Sequence, residues 1–429
     1  MKRRTFIQNT AVMVSISILP SQVWAMVKNG KLRTAHIGVG GMGAADLSSI
    51  ASHPKVKVIA LCDVDSNALN AAQKLHPKAK VFSDYRKLFD EVGSSIDAVI
   101  VSTPDHTHAP VSILAMEMNK PVYCQKPLTH HVSEARAMRK LAKEKKLPTQ
   151  MGVQIHSFKE YRSAVKMIQD GIIGKVHTVR AWSYKNWGFD GKAPSGSDPI
   201  PKNLDWNLWL GTSPEIPYKE NFYHPKNWRR LLDYGCGTLG DMGVHIFDTP
   251  YAALNLDVPK TIETECRKPT GFGHPEKNTV TYQFPGTEFT TETLNWVWYD
   301  GEGAPNNHKD LNLPNKEMLP EQGSMFIGEK GRLLLPHWDF PKLIVNGVYE
   351  KVEYPELEEA DHYHQFVDAC LAKDTCSAPF SYSARLTEAI LLGVIANRFP
   401  GKTLHWNNET SLFDEADANK LLDSEYRSF

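Results

Sequence analysis

Asp241 and His245 stand four positions apart in a glycine-containing segment, residues 235–245, and form the pair in this sequence best suited to moving a proton. If the segment is helical, both side chains point from one face of the helix. The imidazole of histidine has an unperturbed pKa of about 6.5, so it can accept or donate a proton near neutral pH. The carboxylate can orient the imidazole or bind hydroxyl groups of a bound molecule.

Two other polar segments, residues 102–108 and 123–128, stand where predicted strands end. The second contains Lys126, a cation that can stabilise negative charge developing on an oxygen atom. Open α/β sheets bind their ligands at the carboxyl ends of the strands. The sequence therefore predicts that both segments line a ligand site.

A glycine-rich turn near the start of the chain has the pattern of a dinucleotide-binding loop, Gly38-Val39-Gly40-Gly41-Met42-Gly43. It follows a β-rich run and opens a helical one, which is the context that this pattern requires. Gly38 permits the tight turn, Gly40 lets the backbone approach a pyrophosphate, and Gly43 lets helix and strand pack closely. The helix N-terminus at Gly41 and Met42 supplies amide donors to the phosphates.

Asp63 ends the second predicted strand, twenty positions past Gly43. An acidic residue at that distance accepts hydrogen bonds from ribose hydroxyls and repels a 2′-phosphate. We therefore expect the cofactor to be NAD rather than NADP.

The elements that position these residues change character near residue 152. From residue 32 to 151, short β-rich runs alternate with helical stretches, a pattern typical of right-handed βαβ units in a Rossmann sheet. Later segments alternate apolar with polar residues, as in a half-buried antiparallel sheet. The sequence predicts an α/β chain with an NAD-binding Rossmann domain over 30–152 and a second domain over 153–429.

The first 25 residues have the order of a twin-arginine export signal. Arg3-Arg4 precedes an apolar run, residues 11–19, and the small-residue cleavage site Val23-Trp24-Ala25. Because twin-arginine export carries folded proteins, we expect transient contact with that translocase, a periplasmic or other extracytoplasmic location, and a nicotinamide bound before export. Such a cofactor is kept through turnover or re-oxidised by a second substrate.

The composition of the chain argues against several classes of partner and several kinds of site. The 49 basic and 49 acidic residues balance and no long basic run occurs, which argues against nucleic acid as a partner. Six cysteines are too few for a disulfide scaffold. The histidine-containing groups at 105–108 and 361–364 lack the spacing of a zinc site, so we predict no metal and interpret the second group as a polar helix start.

Together these motifs resemble the Gfo/Idh/MocA oxidoreductases, the family of glucose–fructose oxidoreductase and inositol dehydrogenase. The resemblance covers essentially the whole chain after the leader. It rests on the glycine fingerprint with Asp63, on the Gly-Asp-x-x-x-His segment, on the closing helical stretch, and on Thr103-Pro104 with His108 and Lys126-Pro127. It implies a second domain of α+β type with an open-faced, mostly antiparallel sheet that binds substrate and forms a homo-oligomer, a dimer or tetramer.

The resemblance also implies roles for individual residues. Lys126, Asp241 and His245 would be catalytic and contact the substrate, with either Lys126 or His245 taking the proton. The cofactor would be lined by Thr103, Pro104, His108, Gln125 and Lys126. Gln125 stands where the family has Glu. This difference removes a negative charge beside the cofactor, so we expect the redox balance of the bound nicotinamide to change.

An aromatic loop over residues 186–228 gives the best indication of the substrate. Tryptophan faces stack on the apolar faces of sugars, although most tryptophans in proteins are largely buried. We expect two or three aromatic residues to touch the ligand. Trp228 and Arg229 are the first choices, because they run directly into the 235–245 segment.

Three functions fit these observations. The favoured one is oxidation or reduction of a secondary ring alcohol of a sugar or glycoside, at C3 by preference. The alternative is a redox-neutral, NAD-dependent glycosidase that oxidises, eliminates, adds water and reduces back. That branch carries Tyr and His where Asp241 and His245 stand here, which favours the dehydrogenase. A third is a sugar-binding module that keeps NAD as a structural element, an interpretation that Lys126, Asp241 and His245 together disfavour.

Overall fold

A computed structural model describes residues 30–305 and 308–429, so the predicted leader, residues 1–25, lies outside the described residues. The N-terminal part has the strands β1 (Leu32–Ile37), β2 (Val56–Cys62), β3 (Lys80–Phe82), β4 (Ala98–Val101), β5 (Val122–Cys124) and β6 (Thr149–Met151). Its helices are α1 (Met42–Ala51), α2 (Ser66–Leu75), α3 (Tyr85–Val92), α4 (Asp105–Glu117) and α5 (Val132–Lys145).

The six strands form one parallel sheet in the order β3-β2-β1-β4-β5-β6. This is the Rossmann order, and its reversal of direction lies between β1 and β4. β4, β5 and β6 are buried along their whole length, as expected for strands covered by helices on both faces. The predicted Rossmann sheet is confirmed.

Two elements of this sheet differ from the sequence prediction. The edge strand β3 was not expected, because its three residues are exposed or half-buried and give no apolar run. Helix α4 begins at Asp105, within the polar segment 102–108 that was predicted only as the end of a strand. Residues 105–112 are all buried, so the first turns carry no amphipathic period that a pattern could detect.

The C-terminal part has the strands β7 (Val176–Ser183), β8 (Thr261–Cys266), β9 (Asn278–Pro285), β10 (Thr290–Asp300), β11 (Gln322–Gly328), β12 (Arg332–Pro336), β13 (Lys342–Val345), β14 (Val348–Glu350), β15 (Thr403–Asn407) and β16 (Leu412–Phe413). Its helices are α6 (Lys159–Gln169), α7 (Trp206–Leu210), α8 (Val244–Ala253), α9 (His362–Cys370), α10 (Phe380–Ala396) and α11 (Ala416–Asn419).

These strands form a ten-stranded sheet in the order β14-β13-β12-β11-β7-β10-β9-β8-β15-β16, in which only the β7–β10 pair is parallel. One face packs on α8 and α10 through Trp296, Trp298 and Phe247. On the other face, the paired residues Asn295 and Gln283 are exposed. The predicted mostly antiparallel second sheet is confirmed.

None of the helices within 30–305 and 308–429 is long and apolar enough to cross a membrane. The six cysteines all lie in these ranges and carry free thiols, including the Cys370 and Cys376 pair. The chain therefore derives its stability from packing rather than from disulfide bonds.

Candidate active site

The glycine turn joins β1 to α1 in a form that accepts no side chains at two positions. Gly38 has φ +81°, and a Cβ there would lie 2.6 Å from the carbonyl oxygen of Ser102. A Cβ at Gly43 would lie 2.1 Å from the carbonyl oxygen of Gly38. Gly40, Gly41 and Met42 form the turn and the first helical residue, so the open amides at the start of α1 can receive a pyrophosphate.

Asp63 lies beside this turn, at the carboxyl end of β2. Its Oδ2 accepts a hydrogen bond from the Val39 amide at 2.8 Å, and its Oδ1 accepts one from the Asp65 amide at 2.9 Å. Burial raises the pKa of this carboxyl above its ordinary value. The carboxylate is thus held in place next to a cavity of about 600 Å³, where ribose hydroxyls can reach it.

His108 connects the two polar segments that follow β4 and β5. Its Nδ1 lies 2.9 Å from the Pro127 carbonyl oxygen, and its Nε2 lies 2.8 Å from that of Thr103. Burial lowers its pKa to about 4, while the two carbonyl oxygens act in the opposite direction. Pro104 is the N-cap of α4. His108 therefore fixes the distance between the Thr103-Pro104 and Lys126-Pro127 motifs.

Gln125 contacts a buried acid that sequence reasoning missed. Its Nε2 donates to both carboxylate oxygens of Asp46 in α1, at 3.0 and 2.9 Å, and the Ser102 hydroxyl donates to Oδ2 at 2.6 Å. Burial raises the pKa of Asp46 to about 6. A carboxylate thus stands beside the position where the family has Glu. In the sequence, Asp46 could have been recognised as an acidic residue in the first turns of the helix that follows the glycine fingerprint.

Lys126 and Asp241 form the centre of the site. Lys126 Nζ donates to Asp241 Oδ1 at 2.8 Å and to the Asp241 carbonyl oxygen at 3.0 Å. Arg229 Nε donates to the same Oδ1 at 3.2 Å, and the Trp187 indole donates to Oδ2 at 2.7 Å. Burial alone would raise the pKa of Asp241, but the charges of Lys126 and Arg229 outweigh burial and lower it. Asp241 is an ionised acceptor for three donors.

The expected helix carrying Asp241 and His245 begins with a wide turn. Residues Leu239–Gly243 are π-helical and continue into α8, which starts at Val244. Such single wide turns are frequent at functional sites. Within the described residues no hydrogen bond joins Asp241 to His245, so Asp241 acts on the imidazole through its charge.

His245 is a buried, neutral imidazole. Burial, the charge of Lys126 and the neighbouring His337 lower its pKa well below the ordinary value. Its Nδ1 is buried and has no hydrogen-bond partner among the residues that the structure describes. The His337 ring lies 6.2 Å away between centroids and contacts the Tyr161 hydroxyl.

Asp105 is a second buried acid near this cluster, at the first position of α4. Burial raises its pKa to about 7, while the charges of Arg229 and Lys126 act in the opposite direction. In the sequence, Asp105 was considered only as part of the 105–108 group. His337 was not predicted, because a lone histidine after β12 belongs to no motif.

Trp228 packs in an apolar cluster, whereas Arg229 contacts Asp241. Trp228 is 6% exposed and packs in an apolar cluster with Trp206, Trp209 and other residues of the aromatic loop. The Arg229 guanidinium lies over the Trp228 ring at 4.3 Å and over the Trp187 ring at 5.6 Å. Arg229 therefore contacts the site through Asp241, and the Trp228 ring packs against the Arg229 guanidinium.

The two histidine-containing groups have structural partners. His106 Nε2 lies 3.1 Å from the Trp209 carbonyl oxygen, and Asp361 caps α9 by accepting from the amides of Tyr363 and His364. The predicted polar helix start is confirmed. Across 30–305 and 308–429, no group of three or more His, Cys, Asp or Glu side chains is placed to hold a metal ion.

Two family models match the chain. The oxidoreductase family's NAD-binding Rossmann fold matches residues 32–153, and that family's C-terminal alpha/beta domain matches residues 158–286, together more than half of the chain. The chain belongs to the Gfo/Idh/MocA oxidoreductase family. Its N-terminal domain is accordingly an NAD-binding Rossmann domain.

Curated relatives in this family match part of the chain. A glycosyl hydrolase family 109 protein of Stenotrophomonas maltophilia is 28% identical over 192 residues, 42% of this chain and 42% of that protein. A levoglucosan dehydrogenase of Pseudarthrobacter phenanthrenivorans is 26% identical over 227 residues, 51% of this chain and 50% of that protein. The inositol 2-dehydrogenase of Salmonella typhimurium is 29% identical over 156 residues, which are 36% of this chain and 46% of that protein. The chain thus spans half or less of the length of these relatives.

Solved structures share the whole fold at low identity. A WlbA dehydrogenase from Chromobacterium violaceum, in complex with NADH and UDP-GlcNAcA, has a TM-score of 0.63 at 15% identity, covering 92% of this chain and 99% of its own. An aldose-aldose oxidoreductase from Caulobacter crescentus has a TM-score of 0.59 at 17% identity, covering 87% of this chain and 99% of its own. These likenesses extend the family's fold to nearly the full chain.

Proposed function

We propose that the protein is an NAD(H)-dependent oxidoreductase that moves hydride between a tightly bound nicotinamide and a secondary ring alcohol of a sugar or glycoside. The observation that carries the proposal is the cluster of Lys126, Asp241 and His245 beside the carboxyl end of β5. It lies at the edge where an NAD-binding Rossmann domain presents its cofactor. Relatives named levoglucosan dehydrogenase and inositol 2-dehydrogenase support the substrate class.

His245 is the group that takes the proton. The charges of Lys126 and Arg229 keep Asp241 ionised, with three donors on its two oxygens, and Lys126 uses two of its three N–H groups on Asp241. Burial and the charge of Lys126 lower the pKa of His245, which favours the neutral imidazole. A neutral imidazole can accept a hydroxyl proton, and the adjacent carboxylate stabilises the cation that results.

Lys126 holds the substrate oxygen. Bound NAD supplies the acceptor for the hydride that leaves the substrate carbon. As the hydroxyl proton passes to His245, negative charge develops on the oxygen, and the ammonium group of Lys126 stabilises it until the carbonyl forms. Asp241 keeps Lys126 in position through the 2.8 Å contact.

The sugar assignment rests on the groups around Asp241. The Trp187 ring and the Arg229 guanidinium provide an aromatic face and a hydrogen-bond donor next to the reacting groups. We favour C3 as the oxidised carbon, because a C3 ketone acidifies the neighbouring C–H bond and assists later cleavage of a glycosidic bond.

Export and assembly complete the proposal. Residues 1–25 direct twin-arginine export to the periplasm, so replacing Arg3 and Arg4 by Lys should leave the protein in the cytoplasm on cell fractionation. The half-exposed sheet of the second domain forms a homo-oligomer, a dimer or tetramer. Solution scattering that gives a monomer would contradict this.

A redox-neutral glycosidase is the second candidate. The match to a glycosyl hydrolase family 109 protein at 28% identity favours it. The same cluster would then oxidise the ring, and the bound cofactor would return to its starting state after elimination and hydration. Net NADH would not accumulate, and free sugar would be released.

One measurement separates the candidates. The protein is purified without added cofactor, and its absorbance at 340 nm is recorded before and after mixing with glucosides, galactosides and free sugars. A rise limited to about one equivalent per site supports the dehydrogenase. Release of sugar without a net rise supports the glycosidase. Absence of bound nicotinamide, and of any response to added NAD, would contradict both.

A further inference from the structure

We propose that a segment of the C-terminal domain, residues 202–205, forms the second wall of the adenosine site and slows the release of NAD; we call it the strap. The inference rests on the proposed function, because it concerns how that enzyme retains its cofactor. It assigns a cofactor-holding role to residues outside the Rossmann domain.

The cavity beside Asp63 lies between the two domains. Asp63, Val64 and Ser83 line it from the Rossmann side, and Lys202 and Asn203 line it from the strap. Its volume of about 600 Å³ is within the range of roughly 300–1,000 Å³ typical of small-molecule sites. Because Asp63 marks the ribose position, this cavity is where the adenosine half of NAD belongs.

The backbone of the strap pairs with the turn that follows Asp63. The Ser66 amide donates to the Asn203 carbonyl oxygen at 2.8 Å, and the Asp205 amide donates to the Val64 carbonyl oxygen at 3.0 Å. An antiparallel bridge between Asp65 and Leu204 lies at the centre. The turn between β2 and α2 is therefore held by the other domain.

Side chains reinforce this pairing at Asp65. Asn203 Nδ2 donates to Asp65 Oδ1 at 2.8 Å, and His224 Nε2 lies 3.0 Å from Asp65 Oδ2. Asp65 also caps α2, since Oδ1 accepts from the Asn67 amide at 2.9 Å. One carboxylate thus joins the ribose-side helix to two points of the aromatic loop.

The strap is anchored behind by apolar packing. Leu204 and Trp206 are each 6% exposed and belong to the cluster that contains Trp228, against which Val64 also packs. While the hydrogen bonds to the 63–66 turn hold, the strap keeps its place beside the bound adenosine half. Release of the adenosine half is therefore expected to be slow.

Asn203→Asp tests the strap with an almost isosteric change. It replaces the amide donor by an oxygen facing the Asp65 carboxylate, so it should repel the strap from the turn. Lys219→Met is the matched control, because Lys219 bonds Asp198 within the same loop. Asn203→Ala, which removes the bond without repulsion, serves if the first variant does not fold.

The measurements are made on the full-length protein loaded with NADH and on the protein stripped of cofactor. Release of NADH is followed by fluorescence after addition of excess NAD. Calorimetry on the stripped protein compares ADP-ribose, which contains the adenosine half, with nicotinamide mononucleotide, which lacks it. Asn203→Asp should speed release and weaken ADP-ribose by roughly tenfold, with nicotinamide mononucleotide unchanged and Lys219→Met like wild type.

The outcomes are distinct. Equal release rates and ADP-ribose affinities for wild type and Asn203→Asp would overturn the strap while leaving the proposed reaction intact. Equal weakening of both ligand halves would also overturn it, since that is the result of general domain loosening. If the wild type binds neither NAD nor ADP-ribose, the proposed function fails together with the strap.

Discussion

The amide of Gln125 donates to both oxygens of the Asp46 carboxylate, at 3.0 and 2.9 Å, in the buried region between α1 and β5. By its resemblance to the Gfo/Idh/MocA motif, Gln125 stands at the position of a glutamate and carries no charge. The structure retains an acid at this place, contributed by the helix that follows the glycine turn. We therefore expect that the acid and the amide can exchange positions.

Gln125→Glu should destabilise the protein at pH 8 by about 1–3 kcal/mol, because it places a second carboxylate against Asp46. The loss should shrink toward pH 5, where one proton can be shared. Asp46→Asn in the same background exchanges acid and amide and should restore most of the stability. Urea unfolding of the two single variants and the double variant measures the coupling; additive losses would show that the two side chains are independent.

His245→Asn should lower kcat by about 10²–10⁴-fold while leaving the fold intact, since general base catalysis contributes an effect of that size. His177→Asn, at an exposed position of β7, is the matched control. No drop in His245→Asn would place the base elsewhere, and an equal drop in the control would show that the loss is not specific to His245.

The acid limb of the pH profile should lie below pH 6.5. His245 must be neutral to accept a proton, so activity is present above its pKa and is lost as pH falls through it. Burial and Lys126 lower that pKa below its ordinary value, which moves the limb to lower pH. A profile of kcat/KM whose acid limb lies at or above pH 6.5 would contradict the assignment.

Trp187→Phe should lower kcat/KM about tenfold, because it removes one of the donors that hold the Asp241 carboxylate. Trp182→Phe is a fair comparison, since that indole donates to the Pro320 carbonyl oxygen at 2.7 Å, away from Asp241. Steady-state kinetics and thermal unfolding of both variants distinguish positioning from stability. Equal kinetic losses in the two variants would indicate a general packing effect.

Asp241→Asn should cost about 3–5 kcal/mol of stability at pH 7, because it leaves the Lys126 and Arg229 charges close together and unpaired. Adding Arg229→Gln should recover part of the loss. Asp170→Asn, which breaks an exposed pair with Lys166, should cost at most about 1 kcal/mol. Denaturant unfolding checks all three, and a small loss in Asp241→Asn would mean that water screens the cluster.

The sequence predicted what local spacing determines. Gly38, Gly43 and Asp63 were assigned to one dinucleotide turn because the fingerprint and the strand ends lie within a short stretch of chain. Trp187 contacts Asp241 across 54 positions and Asn203 contacts Asp65 across 138, and no spacing rule links such residues. Ligand contact by Trp228 stays a prediction, made from its neighbours in sequence; the structure shows the side chain 6% exposed in an apolar cluster, under the Arg229 guanidinium.

The aromatic loop contacts the Rossmann domain and the Lys126–Asp241 pair at the same time. Within this loop, Asn203 bonds Asp65 in the turn after β2, and Trp187 bonds Asp241. Mutations within this loop should therefore be epistatic with changes at both ends of the bound cofactor. An insertion that alters substrate preference at one end would need a compensating change at the other, which restricts how this loop can diverge among homologues.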